Sequence, residues 1–176
     1  MSKSLPNYYA KDIFSINLSF FQKIKIKTIL FDLDNTLDPY NVKEPSKRVY
    51  ELKKNLEDLG IKMYIISNNH GKRVSTYASL LGIPYLSNAR KPFGKRLKAY
   101  LKKEGIDINS TILCGDQLTT DIPSGNRAGV KTMLLDPISP LDQLSTKINR
   151  LFDRPRRKRY LKKGLIRYLK EEDYGQ

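Results

Sequence analysis

Asp32 and Asp34 stand two positions apart at the end of the apolar run Lys27–Leu33. Side chains at positions i and i+2 of an extended segment share one face, so both carboxylates can reach the same ligand. Asn35 suits the turn that must follow the run. Such a pair can divide the work of phosphoryl transfer, because one carboxylate can attack phosphorus while the other handles the proton of the leaving group.

Ser67 and Asn68 follow a second apolar run, Lys62–Ile66. A hydroxyl at this point can donate a hydrogen bond to a phosphoryl oxygen, and the N-terminus of a following helix adds backbone N–H groups and a positive dipole. By itself this pair is also typical of an ordinary helix cap.

Three further charged residues stand at comparable points. Lys91 immediately precedes Pro92 and a helical pattern, where its charge could neutralise a phosphate, although most lysines in so basic a chain decorate the surface. Asp116 follows the apolar run Thr111–Cys114, and Asp121 lies about one helical turn later. Carboxylate oxygens at such a site suit Mg²⁺, which keeps several waters and bridges to substrate phosphate. Taken singly, the two aspartates are also typical of a helix cap and an exposed acid.

The elements that must position these residues alternate along the chain. Short β-branched runs predict strands, and helical spacing of apolar residues, bounded by proline and glycine, predicts helices. The strands are Lys27–Leu33, Lys62–Ile66, Thr111–Cys114 and Lys131–Leu135, with a weaker one at Pro84–Ser87; the helices are Pro45–Leu59, His70–Leu81, Pro92–Glu104 and Thr119–Ala128. This alternation predicts an α/β fold with a mainly parallel sheet flanked by helices, and ligands in such folds bind at the carboxyl ends of the strands.

The four motifs in this order resemble the haloacid dehalogenase (HAD) superfamily, over roughly residues 27–137. The resemblance implies a Rossmann-like fold, a Mg²⁺ cofactor and an aspartyl-phosphate intermediate. It also implies a role for each motif residue: Asp32 as nucleophile and metal ligand; Asp34 as general acid/base, with its carbonyl on the metal; Thr36 as support for the loop; Ser67 and Asn68 as phosphate-binding residues; Lys91 as charge balance; Asp116 as metal ligand; and Asp121 as support for the metal site, directly, through water or by orienting Lys91.

The spacing of the motifs bears on the substrate. The segments 38–60 and 68–90 hold little beyond one helix each, so we expect no large cap domain and an open active site. The strings LFDLDNTL, SNN, RKP and GDQLTTDI resemble the YqeG-like branch of the class IIIA phosphatases, which is related to phosphatidylglycerophosphate phosphatases. That resemblance implies a phosphorylated lipid at an anionic membrane surface.

Charge clusters at the C-terminal end of the chain. The formal net charge is +15, and seven of the ten residues in Arg154–Lys163 are basic. We expect an amphipathic N-terminal segment (1–24), a phosphatase core (25–144) and a basic helical tail (145–176). No apolar run is long enough to span a bilayer and no secretory signal opens the chain, so we expect a cytoplasmic protein that can lie peripherally on a membrane.

Two alternatives remain open from the sequence alone. The same chemistry could act on another phosphomonoester, such as a nucleic-acid end, because the tail is basic and class IIIA relatives include 3′-end phosphatases. The chain could instead be a ribosome-assembly protein that binds RNA through its tail and carries a vestigial site, although every catalytic side chain is in place.

Overall fold

The computed structural model describes residues 4–70, 72–139 and 144–174. Within these ranges, six strands form one sheet in the order β1-β6-β5-β2-β3-β4, and every pairing is parallel. The strands are β1 (Tyr8–Ala10), β2 (Thr28–Phe31), β3 (Lys62–Ile66), β4 (Tyr85–Leu86), β5 (Thr111–Gly115) and β6 (Lys131–Leu135). The predicted parallel α/β fold is confirmed.

Helices connect the strands and cover both faces of the sheet. They are α1 (Ser19–Lys23), α2 (Lys47–Asp58), α3 (Lys72–Leu81), α4 (Gly94–Lys103), α5 (Asp121–Ala128), α6 (Leu144–Lys162) and α7 (Glu171–Tyr174), with a 3₁₀ turn at Ile108–Ser110. The segments 32–46 and 67–71 that link β2 to α2 and β3 to α3 contain no helix or regular strand of their own among the described residues. In the part of the chain that the structure describes, neither of these two connections forms a large cap domain.

Alternating side chains of the buried strands divide the core into two layers. On β2, Ile29 and Phe31 pack with the apolar faces of α1, α2 and α3, whereas Leu30 packs with α4. Strands buried on both faces are expected to be nearly continuous apolar runs, and β2 is apolar after its first residue, Thr28. A third cluster, around Tyr9, Leu134 and Ile166, joins the N-terminal strand to the C-terminal part of the chain.

The boundaries differ from the sequence predictions at several points. The strand predicted over Lys27–Leu33 spans only Thr28–Phe31, so Asp32 lies in the loop beyond it. The helix predicted over Thr119–Ala128 begins at Asp121. The N-terminal segment contributes a strand that the sequence analysis did not predict: β1 pairs with β6 at the edge of the sheet. In the described part of the chain, no helix is long and apolar enough to cross a membrane.

Candidate active site

The motif residues meet at the carboxyl edge of the sheet, where the strand order reverses. From β2 the chain proceeds to β3 and β4 on one side and returns to β5 on the other, so β2 and β5 flank a topological switch point. The register pairs Phe31 with Ile65 and with Cys114. Asp32, Ser67 and Asp116 therefore emerge from neighbouring strands at nearly the same height. Ligands of open α/β sheets bind at this position.

Lys91 lies at the centre of the cluster, and its ammonium group uses all three of its N–H donors. It donates to Asp32 Oδ1, to Asp121 Oδ1 at 2.6 Å and to the carbonyl oxygen of Ile66 at 3.1 Å. Its side chain is 3% exposed, and the two carboxylates are also buried. Burial lowers the pKa of Lys91, but the charges and hydrogen bonds of Asp121 and Asp32 together outweigh it and raise that pKa above its ordinary value, so the group stays a cation.

Three buried carboxylates form a set that fits a divalent cation. Asp32, Asp116 and Asp121 each offer an oxygen atom, and these atoms lie within 4.8 Å of one another. When all three are ionised, the single positive charge of Lys91 does not balance them, so their ionised form leaves negative charge in a buried place. Burial, followed by the charges of the neighbouring aspartates, raises the pKa of Asp32 well above its ordinary value despite the opposing effect of Lys91. Hard oxygen ligands with excess negative charge are the environment that Mg²⁺ prefers.

Gly115 makes room for this arrangement. A Cβ atom at this position would lie 2.4 Å from Cγ and 2.5 Å from Oδ2 of Asp121. The Asp121 carboxylate also accepts a hydrogen bond from the Gln117 backbone N–H at 3.0 Å. The missing side chain at Gly115 thus lets the turn after β5 fold back until Asp121 reaches Lys91.

Asp34 is held by a different set of partners. Its Oδ1 accepts a hydrogen bond from Arg73 in the first turn of α3, and its Oδ2 accepts one from the Asn69 side chain at 2.5 Å. Arg73 also donates to the Val42 carbonyl oxygen at 2.5 Å. Asn35 turns the chain with a φ of 64°. The two carboxylates of the first motif therefore face different cations, Lys91 for Asp32 and Arg73 for Asp34.

The remaining predicted residues lie around this centre. The Ser67 side chain is buried, and its hydroxyl accepts a hydrogen bond from the Asn69 backbone N–H at 3.1 Å. The Asn68 side-chain amide donates to the Lys91 carbonyl oxygen at 2.9 Å and accepts from the Lys91 backbone N–H at 2.6 Å. These two bonds fix the segment that carries the lysine. The Thr36 hydroxyl is buried and has no hydrogen-bond partner among the described residues.

A buried aspartate that the sequence analysis did not single out stabilises the loop after the first motif. Asp38 Oδ2 accepts hydrogen bonds from the Tyr77 hydroxyl at 2.6 Å and from the Ser46 backbone N–H at 3.0 Å. These contacts join the loop to α2 and α3. A DxDxT motif gives no sign of them, since Tyr77 lies on a separate helix.

Two residues of α6 also reach the site, and sequence reasoning missed both. Arg157 donates to the backbone carbonyl oxygen of Asp116 at 2.6 Å, and Asp153 accepts a hydrogen bond from the Thr119 backbone N–H at 3.0 Å. The side chains of Arg157 and Asp153 are 11% and 1% exposed and contact each other at 3.3 Å. The fourth motif is therefore held from outside the sheet by the basic C-terminal helix.

The chain is similar to known phosphatases in sequence. A family model described as mitochondrial PGP phosphatase matches residues 1–139. "Probable phosphatase YqeG" of Bacillus subtilis (strain 168) is 34% identical, over 93% of this chain and 95% of its own. The chloroplastic phosphatidylglycerophosphate phosphatase 1 of Chlamydomonas reinhardtii is 31% identical, over 78% of this chain and 55% of its own length.

Solved structures show the same fold at lower sequence identity. The cobalt-bound deoxy-D-mannose-octulosonate 8-phosphate phosphatase of Haemophilus influenzae is 19% identical with a TM-score of 0.52, covering 62% of this chain and 69% of its own. An uncharacterized protein from Listeria monocytogenes serotype 4b is 19% identical with a TM-score of 0.53, covering 78% and 99%. The family model and the Bacillus subtilis relative together assign the chain to the mitochondrial PGP phosphatase family, and so to the phosphatases.

Proposed function

We propose that this phosphatase hydrolyses a phosphomonoester with Mg²⁺ as cofactor and through a phosphorylated Asp32. The observation that carries the proposal is the buried contact of Asp32 with Lys91, beside Asp116 and Asp121. A nucleophilic carboxylate repels an anionic phosphate, so a neighbouring cation is needed to offset that repulsion. Lys91 supplies this positive charge. Asp121 is assigned the task of orienting Lys91, because it accepts a hydrogen bond from the ammonium group.

The first step transfers the phosphoryl group to the protein. An oxygen of Asp32 forms a bond to phosphorus while the bond from phosphorus to the leaving oxygen breaks, and Asp34 gives that oxygen its proton. Lys91 and the Ser67 hydroxyl stabilise the equatorial oxygens. When bound by Asp32, Asp116 and the Asp34 carbonyl, Mg²⁺ supplies further charge neutralisation at the phosphoryl group.

The second step regenerates the enzyme. Asp34, now the base, takes a proton from water, and the water oxygen attacks phosphorus as the bond to Asp32 breaks. Inorganic phosphate leaves and both carboxylates return to their starting forms. Arg73 and Asn69 hold the Asp34 carboxylate in place, so they are proposed to orient it in both steps.

The proposed substrate is phosphatidylglycerophosphate. The matched family and the Chlamydomonas relative carry that substrate in their names. The uncapped edge of the sheet supports the assignment, because a head group that projects from a bilayer could enter without a closing domain. The anionic membrane is then the proposed partner and a peripheral, cytoplasmic-side position the proposed location. The basic C-terminal segment is also compatible with RNA, so nucleic-acid ends and ribosomal RNA are retained as comparison ligands.

The test measures phosphate release from phosphatidylglycerophosphate in anionic vesicles, beside soluble phosphomonoesters and 3′- and 5′-phosphorylated oligonucleotides. We expect Mg²⁺-dependent release that prefers the lipid and disappears in Asp32→Asn. Activity on another substrate, still lost in Asp32→Asn, would retain the mechanism and reject the lipid. A folded protein with no activity on any of them would reject both, and salt-sensitive binding to ribosomal particles would then favour the RNA-binding alternative.

A further inference from the structure

The outward side of α6 presents apolar side chains to solvent. Leu151 and Phe152 are 72% and 65% exposed, although they are adjacent and large. They line an open groove of about 440 Å³ together with Pro155, Arg156 and Arg159. Single exposed apolar residues are common on soluble proteins, but an adjacent pair in a groove edged by arginine is a more specific feature.

Positive charge surrounds this pair, and among the described residues no ion pair neutralises it. In the segment 151–163, six basic side chains are exposed and form no hydrogen bond or ion pair with the described residues. They are Arg154, Arg156, Lys158, Arg159, Lys162 and Lys163. The acid of the same segment, Asp153, is buried and faces the active-site loop. The outer side of the helix therefore offers cations and apolar groups together, with no carboxylate among them.

We propose that this side of α6, defined by Leu151, Phe152, Arg156 and Arg159, docks on an anionic lipid bilayer. Helices that lie in the membrane interface combine apolar side chains, which enter the acyl boundary, with basic side chains, which contact anionic head groups. RNA would engage the cations but gives no reason for an exposed leucine beside a phenylalanine. The role of this surface rests on the proposed lipid substrate, because docking would bring the active site to a membrane. Binding to vesicles can nevertheless be measured without turnover.

The inner side of α6 decides how this surface should be tested. Asp153 and Arg157 hold the loop of the fourth motif, so removal of the chain from Ser145 onward would disturb the active site as well as the outer surface. Substitutions confined to exposed side chains avoid that confusion. They also leave the proposed catalytic residues untouched, which keeps turnover of a soluble phosphomonoester as a check on folding.

The experiment compares binding of the full chain to phosphatidylglycerol–phosphatidylcholine vesicles and to pure phosphatidylcholine vesicles by co-sedimentation. Arg156→Gln/Arg159→Gln is expected to weaken binding to the anionic vesicles at least tenfold, since each basic residue near an anionic leaflet contributes on the order of 1 kcal/mol. The matched control is Lys102→Gln/Lys103→Gln, which removes two exposed charges from the end of α4 and should change binding much less.

A second pair tests the apolar contribution. Leu151→Ser/Phe152→Ser should weaken binding to anionic vesicles at least tenfold. The control Leu80→Ser removes one exposed leucine from α3, away from the proposed surface, and should leave binding unchanged. Wild-type binding by the serine pair, or tighter binding to single-stranded RNA than to vesicles, would overturn the proposal. Asp32→Asn should bind like the wild type. Normal vesicle binding without lipid hydrolysis would reject the proposed substrate and retain the docking surface.

Discussion

Arg157 offers a sharp test of whether the C-terminal helix belongs to the active site. Its guanidinium donates to two backbone carbonyl oxygens, those of Asp116 at 2.6 Å and Leu135 at 3.1 Å, and to the carboxylates of Asp136 at 2.6 Å and Asp153 at 3.3 Å. Arg157→Ala removes these four bonds and a fifth, longer one to the Tyr9 hydroxyl oxygen at 3.4 Å. It leaves the buried Asp153 carboxylate without its cation.

The expected loss of stability follows from that burial. Removal of one partner of a buried ion pair costs about 3–5 kcal/mol, because the remaining charge stays desolvated. The total free energy of unfolding of a domain is about 5–15 kcal/mol, so the variant should fold but melt well below the wild type. Arg154→Ala is the matched control: this arginine lies on the same helix with an exposed side chain, and its loss should change stability by no more than about 0.5 kcal/mol.

Denaturant unfolding measures the stability of each variant. The Mg²⁺ concentration needed for half-maximal activity measures how well its active site uses the ion. Loss of a residue that orients a metal ligand typically weakens metal affinity about 10- to 100-fold. Arg157→Ala should therefore need at least tenfold more Mg²⁺ for half-maximal activity, and Mg²⁺ should raise its melting temperature less than that of the wild type. Arg157→Lys keeps the charge but cannot reach all five acceptors, so it should restore part of the stability and less of the Mg²⁺ response. A destabilised Arg157→Ala with an unchanged Mg²⁺ response would refute the positioning role.

Three other perturbations have definite expected outcomes. Gly115→Ala places a Cβ against the Asp121 carboxylate, so it should cost about 1–3 kcal/mol and most of the activity. Gly60→Ala meets nothing within 4 Å, so it should cost only about 1 kcal/mol, from its φ of 70°, and leave turnover intact. Urea unfolding and phosphate release distinguish the two variants. Tyr77→Phe removes the 2.6 Å hydrogen bond to buried Asp38 and should lower the free energy of unfolding by about 1–3 kcal/mol, again by urea unfolding, while an unchanged value would mean that the bond contributes nothing. Burial raises the pKa of the Cys114 thiol, so a thiol reagent such as 5,5′-dithiobis(2-nitrobenzoate) should label it only after unfolding, and rapid labelling of the native protein would contradict this burial.

The sheet and the relative positions of the four motifs could be predicted because their signals are local. Apolar runs such as Thr111–Cys114 mark buried strands, and polar residues directly after them must gather at one edge of a parallel sheet. The proximity of Asp32 to Asp116 needs no more information than this. Strand β1 escaped prediction because it spans three residues and its partner β6 lies more than a hundred positions away.

The contacts that refine the site could not be predicted, because they join distant parts of the chain. Arg73 is one basic residue among many in the sequence, and only the packing of α3 brings it to Asp34. Arg157 looks like one more member of a basic run, yet its side chain is the one that turns inward. Arg157 lies four positions after Asp153 and Arg156 three, and both spacings suit a helical ion pair, so the sequence does not single out Arg157.

These two sides of α6 together limit how the protein can approach a membrane. Because α6 is hydrogen-bonded to the fourth motif through Arg157 and Asp153, it cannot move freely relative to the site. A bilayer bound at Phe152 and Arg156 would therefore lie in a fixed orientation to Asp32. Loss of docking should then lower kcat/KM for a phosphate in the membrane and leave kcat/KM for a soluble phosphomonoester unchanged. A flexible basic tail would instead raise the local concentration of enzyme without orienting it, and a long flexible linker inserted between the core and α6 would be tolerated. The inward contacts of α6 favour the fixed orientation. A flexible linker before α6 would loosen its hydrogen bonds to Asp116 and Thr119, so we expect such an insertion to impair the active site.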